Sequence, residues 1–342
     1  MIYPLFGYFS QQITAAVSAP TESINTSSLY TFTTITFTNA GATGSRGPTY
    51  AQMLAEYSGS NPWITSSLYF TSSIQGIQLW TVPATATYRF TAAGAQGGNN
   101  TTTPLSGGLG ALVTTDITLS QSSQLAIVVG QRGQDRSTAS SLNGGAGGGG
   151  TFVYDSNTIT YYLAIAGGGG AGGTTANLFT NQATASGKFN TTAGSNVRIS
   201  NGFAASGGFN GEGGGRSNRN ILYGAAGAGI NSSGSRAANN GQGLSRLGNW
   251  LGGLTGSTAN TNAREGGFGG GGGAVDGDLT ADGNIIAWAG GGGGYSGGAA
   301  GGNGGAGDSQ YGGGGGSYYT GSLVTGSNGS NVNHGYVTVT KL

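Results

Sequence analysis

The sequence predicts an all-β fold: a two-sheet sandwich with a bundle of glycine helices inserted before its last strand. Three observations lead there. Thr-rich runs that alternate with aromatic and β-branched residues recur between residues 28 and 166. Glycine fills 75 of 342 positions, roughly 22% against a usual 7%, and it is gathered in runs. A clean alternation then returns at Gly335-Tyr336-Val337-Thr338-Val339-Thr340-Lys341, far from the other strands.

The chain divides into four stretches. Residues 1–27 open with Ile2, Tyr3, Leu5, Phe6, Tyr8 and Phe9, large apolar side chains with no local element to pack on. They are expected to dock on another subunit or protein. Met1 and the following residues lack a basic region and carry Pro4, so they are not expected to act as a secretion signal. Residues 28–166 are the expected sandwich. Strands are expected at 30–38, 64–70, 75–82, 86–93, 110–119, 123–130, 150–155 and 158–166, with a short helix from Tyr50 to Tyr57 behind Pro48. Leu125-Ala126-Ile127-Val128-Val129 is a continuous apolar run suited to burial on both faces. Residues 167–333 form the Gly-rich insertion, and 334–342 return as the closing strand.

Glycine without charge ordinarily behaves as flexible coil. Ordered tracts must offset a backbone entropy cost that is largest for Gly. Helix and strand interiors both disfavour Gly, whereas polyproline-II geometry accepts it, with three residues per turn and no internal hydrogen bond. The outward N–H and C=O groups then need neighbours. Tracts at 144–150, 167–173, 266–273, 290–294, 297–305 and 312–316 suit such a bundle, with Phe268, Trp288, Tyr295, Tyr318 and Tyr319 sealing its edges.

Composition excludes several functions. With 12 Lys+Arg against 11 Asp+Glu, no basic surface is expected for nucleic acid. There is no Cys and one His, His334, which removes thiol chemistry and His/Cys metal sites. No apolar stretch reaches membrane-spanning length, so no membrane insertion is expected. A GxGxxG match at Gly145, Gly147 and Gly150 is what chance gives at this glycine content. Scattered carboxylates support no paired acid/base chemistry, and no enzyme or cofactor is expected. Asp276, Asp278 and Asp282 form a weak calcium candidate that lacks the remaining loop ligands.

Charge is distributed unevenly. Residues 174–264 hold Lys188, Arg198, Arg216, Arg219, Arg236, Arg246 and Arg264 against Glu212 alone, whereas 266–312 hold Asp276, Asp278, Asp282 and Asp308. Two readings follow. The basic loops pair with the acidic ones, or they meet an anionic surface such as cell-envelope glycan. On the second reading Arg216, Arg219, Tyr223, Arg246 and Trp250 are the candidate contact residues, the aromatic pair stacking on sugars or serving as buried anchors.

Residues 76–98 (GIQLWTVPATATYRFTAAGAQGG), 126–135 (AIVVGQRGQD), 147–155, 163–170, 266–274, 290–298 and 333–341 (NHGYVTVTK) resemble the glycine-rich extracellular region of the anaplastic lymphoma and leukocyte tyrosine kinase receptors. The resemblance implies a TNF-like, jelly-roll β-sandwich with polyglycine-II helices inserted before the last strand. Neither a kinase domain nor a membrane helix accompanies it. The opening at 31–52 looks more loosely like bacteriophage structural proteins. The expectation is a non-enzymatic virion protein, a tail fibre or host-recognition adhesin on the particle surface. Its expected partners are copies of itself or other virion proteins through residues 1–27, and a host glycan or protein. A self-assembling extracellular filament and a lectin-like or cytokine-binding module remain as alternatives.

Overall fold

The computed structural model describes residues 27–100, 106–136, 144–158, 161–172, 182–198, 204–215, 224–235, 241–253, 264–274, 289–301 and 311–342. Its strands are β1 (Thr34–Phe37), β2 (Phe70–Thr71), β3 (Ile77–Thr81), β4 (Ala86–Ala93), β5 (Gly110–Leu119), β6 (Gln124–Val128), β7 (Thr151–Asp155), β8 (Tyr162–Ala166), β9 (Val197–Arg198), β10 (Ala204–Ala205), β11 (Tyr318–Tyr319), β12 (Ser322–Asn331) and β13 (Tyr336–Lys341). Two antiparallel sheets make an all-β sandwich. One has the order β1-β13-β4-β5-β12, the other β11-β8-β7-β6-β3-β2. A third, two-stranded ribbon joins β9 to β10.

Alternation decides which residues enter the core. Ile35, Phe37, Tyr88, Phe90, Val337 and Val339 from the first sheet meet Trp80, Leu125, Ile127, Val153 and Leu163 from the second. The opposite face of the first sheet is a threonine surface with cross-strand hydroxyl pairs Thr34–Thr340 and Thr36–Thr338. Beside them Arg89 makes a bidentate pair with Asp116, both contacts at 2.8 Å. The closing strand lies between β4 and β1, with Val339 opposite both Phe90 and Ile35.

The helix α1 (Tyr50–Tyr57) starts where expected because Thr49 and Gln52 form a reciprocal cap: the Thr49 amide donates to Gln52 Oε1 at 2.8 Å, and the Gln52 amide to the Thr49 hydroxyl. Met53 and Tyr57 enter the core. The expected strand at 64–70 is corrected. Pro62 opens a 3₁₀ turn through Thr65, and the Tyr69 and Phe70 amides donate back to Ser66, so only Phe70 and Thr71 reach the sheet. At 30–38 only Thr34–Phe37 pairs; Tyr30 instead stacks on Trp63 at 4.5 Å between ring centres.

Of the four described strands inside the stretch expected to be insertion, β9 and β10 form the separate ribbon and β11 and β12 join the two main sheets. Strand β12 pairs along β5 with two register shifts, so the sheets resume before residue 334. Its sequence, SLVTGSNGSN, is largely exposed. With neither face buried it carries no alternation, which is why it is silent in the sequence.

The glycine segments bond to one another rather than internally. Successive amides from Gly145 to Gly150 donate to the carbonyls of Gly172, Gln134, Gly272, Gly169, Gln131 and Gly269. The same three neighbours return at every third residue. Amides 290–295 repeat the pattern with parallel neighbours, donating to Gly145, Ala225, Gly313, Gly148, Ala228 and Gly316. The layer also recruits segments less rich in glycine: Gly94 and Gly97 donate to Ala111 and Gly108, Ala95 and Gly98 to Gly149 and Ala146. One expected tract is not continuous. Gly269 and Gly270 have φ of +98° and +81°, and the Gly271 amide turns back to Gly267, so 266–273 reverses midway.

The layer has a fixed place. Strand β4 runs straight into Gly94, β5 emerges from the Gly107–Gly110 segment, and β8 runs into Gly167. At the opposite end of the sandwich, Gln121 Nε2 donates to the Ser27 carbonyl at 2.7 Å and the Leu29 amide to the Pro83 carbonyl at 2.8 Å. Residue 27 therefore sits beside the turns β3–β4 and β5–β6, at the end of the sandwich opposite the glycine layer.

Candidate functional site

Of the expected contact residues, Arg216, Arg219 and Tyr223 lie outside the described residues, as do Asp276, Asp278, Asp282 and Trp288. Arg246 and Trp250 belong to one loop. The 3₁₀ turn Arg246–Gly248 ends in two successive left-handed residues, Asn249 at φ 55° and Trp250 at φ 60°. A bulky residue rarely adopts that conformation. Packing holds it there: Trp250 is fully buried and stacked on Phe152 of β7, with ring centres 3.8 Å apart and planes 24° apart. Its carbonyl accepts from the Gly269 and Gly270 amides at 2.8 and 3.1 Å. Trp250 is thus corrected as a sugar-stacking surface; it is a buried anchor.

Trp250 has company. With Ile230 and Phe268 it covers Ile77, Val128, Phe152 and Ile165 on the outer face of the second sheet. This second core is why β6 is apolar on both faces. Tyr154 and Tyr162 lie on the same face, 5.7 Å apart. Burial raises both hydroxyls, Tyr162 to about 12, and the nearby Arg246 charge partly offsets the rise. Arg246 is half-buried, beside this tyrosine pair.

A concave site appears at the junction of the glycine layer with the sandwich, and sequence reasoning missed it. Phe189, Asn190, Thr191, Thr192, Ser317, Tyr318 and Tyr319 line a cleft of about 350 Å³. The segment 187–192 is held along the end of the 312–316 tract: the Lys188 amide donates to Gly315 and the Ser317 amide to Thr191, at 2.9 and 3.0 Å. The Phe189 amide donates to Asn328 Oδ1 at 2.7 Å. Gly326 of β12 leaves the space that the Phe189 ring occupies, since a Cβ there would overlap the ring. Phe189 faces Tyr319 in near-parallel orientation (16°), and Tyr318 stacks on Tyr295 at 5.0 Å. Only the Tyr318-Tyr319 pair, expected as an edge seal, hinted at the cleft.

His334 is structural. Its Nδ1 accepts the Arg132 amide at 3.2 Å, which requires the unprotonated nitrogen. Burial, and secondarily the Arg132 charge, hold its pKa below the ordinary value. The unfolded chain therefore binds this proton more readily, so the His334 contribution is complete above the unfolded pKa, about 6.5, and declines as pH falls below it. Between pH 7 and 5 the wild type should lose more melting temperature than His334→Gln. Parallel pH dependences would contradict this.

Among the described residues, no group of three His, Cys, Asp or Glu side chains is placed to hold a metal ion, and no helix is long and apolar enough to cross a membrane.

The molecule is thus a β-sandwich carrying a cross-bonded glycine layer at one end. No family model matches the chain. Over 99 residues, 29% of its length, it is 36% identical to the leukocyte tyrosine kinase receptor of Mus musculus. The match spans 11% of that receptor.

Proposed function

We propose that this chain is a non-enzymatic virion structural protein, a tail-fibre or adhesin-type module that docks through its leading segment and presents loops from a rigid glycine stem. The observation that carries the reading is polarity. Ser27, the first described residue, lies beside Pro83 and Gln121, while the glycine layer occupies the other end. An anchor and a presenting surface belong at opposite ends of such a module, and binding residues concentrate on loops held by rigid scaffolds.

On this reading the glycine segments are polyglycine-II helices. Support comes from the three-residue recurrence of bonding partners, which matches the threefold turn of that helix. The partial match to the receptor kinase adds weight to a TNF-like sandwich of extracellular type.

The test is adsorption of the full chain to host cells at two salt concentrations, read beside a melting curve. Arg216→Ser, Arg219→Ser and Arg246→Ser combined should weaken adsorption severalfold and flatten its salt dependence, with an unchanged melt. A lowered melting temperature with adsorption falling only in step would mean internal pairing with Asp276, Asp278 or Asp282. Unchanged adsorption would end the proposal for these loops.

A second reading, a self-assembling filament subunit, is favoured by one observation. β12 is a ten-residue, largely exposed strand at the edge of its sheet, and its first half, ahead of the Gly326–Gly329 stretch that segment 187–189 covers, is a template for an added strand. Chain length distributions in solution, with and without residues 1–27, separate it from the first.

A further inference from the structure

We propose that the cleft between residues 188–192 and β11 is a binding subsite for a neutral saccharide, and that it supplies specificity for the surface-recognition function proposed above, on which this part of the inference rests.

The lining selects the chemistry. Phe189, Tyr318 and Tyr319 are partly exposed and offer apolar ring surface. Asn190 and Thr192 line the same cleft, and among the described residues neither side chain is hydrogen-bonded to another part of the chain. An apolar ligand would strip water from these groups without replacing its bonds, which is unfavourable. A charged ligand would find no opposite charge among the lining residues; Lys188, next to Phe189 in sequence, is half-buried and already has a partner of its own. A sugar ring answers both demands at once, with C–H faces for the aromatic rings and hydroxyls for the amide and hydroxyl groups. About 350 Å³ is at the small end of ligand cavities, suited to a single ring of a longer chain.

The walls are also fixed in advance. Phe189 is seated over Gly326 and tied by its amide to Asn328, Thr191 is tied to Ser317, and Tyr319 is paired in β11 with Ala164 of β8. Binding would therefore order few side chains, which favours affinity.

The experiment is calorimetric and NMR titration of the full chain with neutral oligosaccharides of glucose, galactose, mannose and N-acetylglucosamine. At least one should bind and shift the Tyr319 and Phe189 ring resonances. Asn190→Ala and Thr192→Val should each weaken it severalfold, and Tyr319→Ala at least tenfold; Gly59→Ala, at an exposed position with nothing near its Cβ, should leave it unchanged. Melting curves of the variants guard against misfolding, and the Asn190 and Thr192 variants stand if Tyr319→Ala fails to fold. No binding across the panel, or binding that ignores Asn190→Ala and Thr192→Val, overturns the subsite. The wider reading fails separately: a chain that binds saccharide here yet does not adsorb to host cells keeps the cleft and loses the adhesin role.

Discussion

Gly149→Ala should destabilise the folded state severely. The new Cβ would overlap the carbonyl oxygen of Phe268, and a backbone atom cannot swing away as a side-chain tip can. Phe268 is itself fixed, its amide bonded to Gly44 and its carbonyl to the Gln131 amide, both at 2.8 Å. Relief would have to break several cross-bonds, each leaving buried donors or acceptors unpaired. The expected cost exceeds about 4 kcal/mol, a large part of the 5–15 kcal/mol typical of a domain. Gly59→Ala is the control: it is exposed, and its Cβ would have nothing within 4 Å. That change should be neutral or slightly stabilising, because Ala has less freedom to lose on folding. Soluble yield and circular-dichroism melts read both. Gly149→Ala melting close to wild type would mean that the close approach is dispensable.

The same constraint explains what could be read from the sequence. Where a strand buries one face, as Ile35 and Phe37 do against outward Thr34 and Thr36, alternation announces it. The helix announced itself through Pro48, whereas the reciprocal Thr49–Gln52 cap that starts it was found only in the structure. β12 buries neither face, and its register comes from β5, so Ser, Gly and Asn carried no signal. The glycine layer was legible as runs, yet its membership was not. Gly94–Gly98 and Gln131–Gln134 join it through backbone groups that any residue possesses. Positions where a Cβ fits accept Ala, as at buried Ala146, Ala171 and Ala228, which dilutes the glycine signal. The cleft was hidden for another reason: its two walls are more than 120 residues apart in sequence, and only the crossing of 188–192 over the end of the 312–316 tract brings them together.

Trp250→Ala should cost about 3–5 kcal/mol, the usual range for removing a large buried aromatic. The ring lies flat on Phe152 and helps seal the second core between the sheet and the inserted loops, so its loss opens a cavity across the joint. The backbone sharpens the prediction. Trp250 sits at φ 60°, where an L-residue costs roughly 1–2 kcal/mol. Ala retains that strain and Gly does not, whereas Gly gains about 0.4–1 kcal/mol of unfolded-state freedom. Trp250→Gly should therefore be no worse than Trp250→Ala, the reverse of the order at an ordinary extended position. The ring's partner gives an independent check, since Phe152→Ala combined with Trp250→Ala should cost less than the sum of the two changes. Denaturant melts of the four variants measure both effects. If Gly is clearly worse than Ala, the left-handed turn is not what the native loop adopts; if the two aromatic truncations simply add, the rings do not share one packing site.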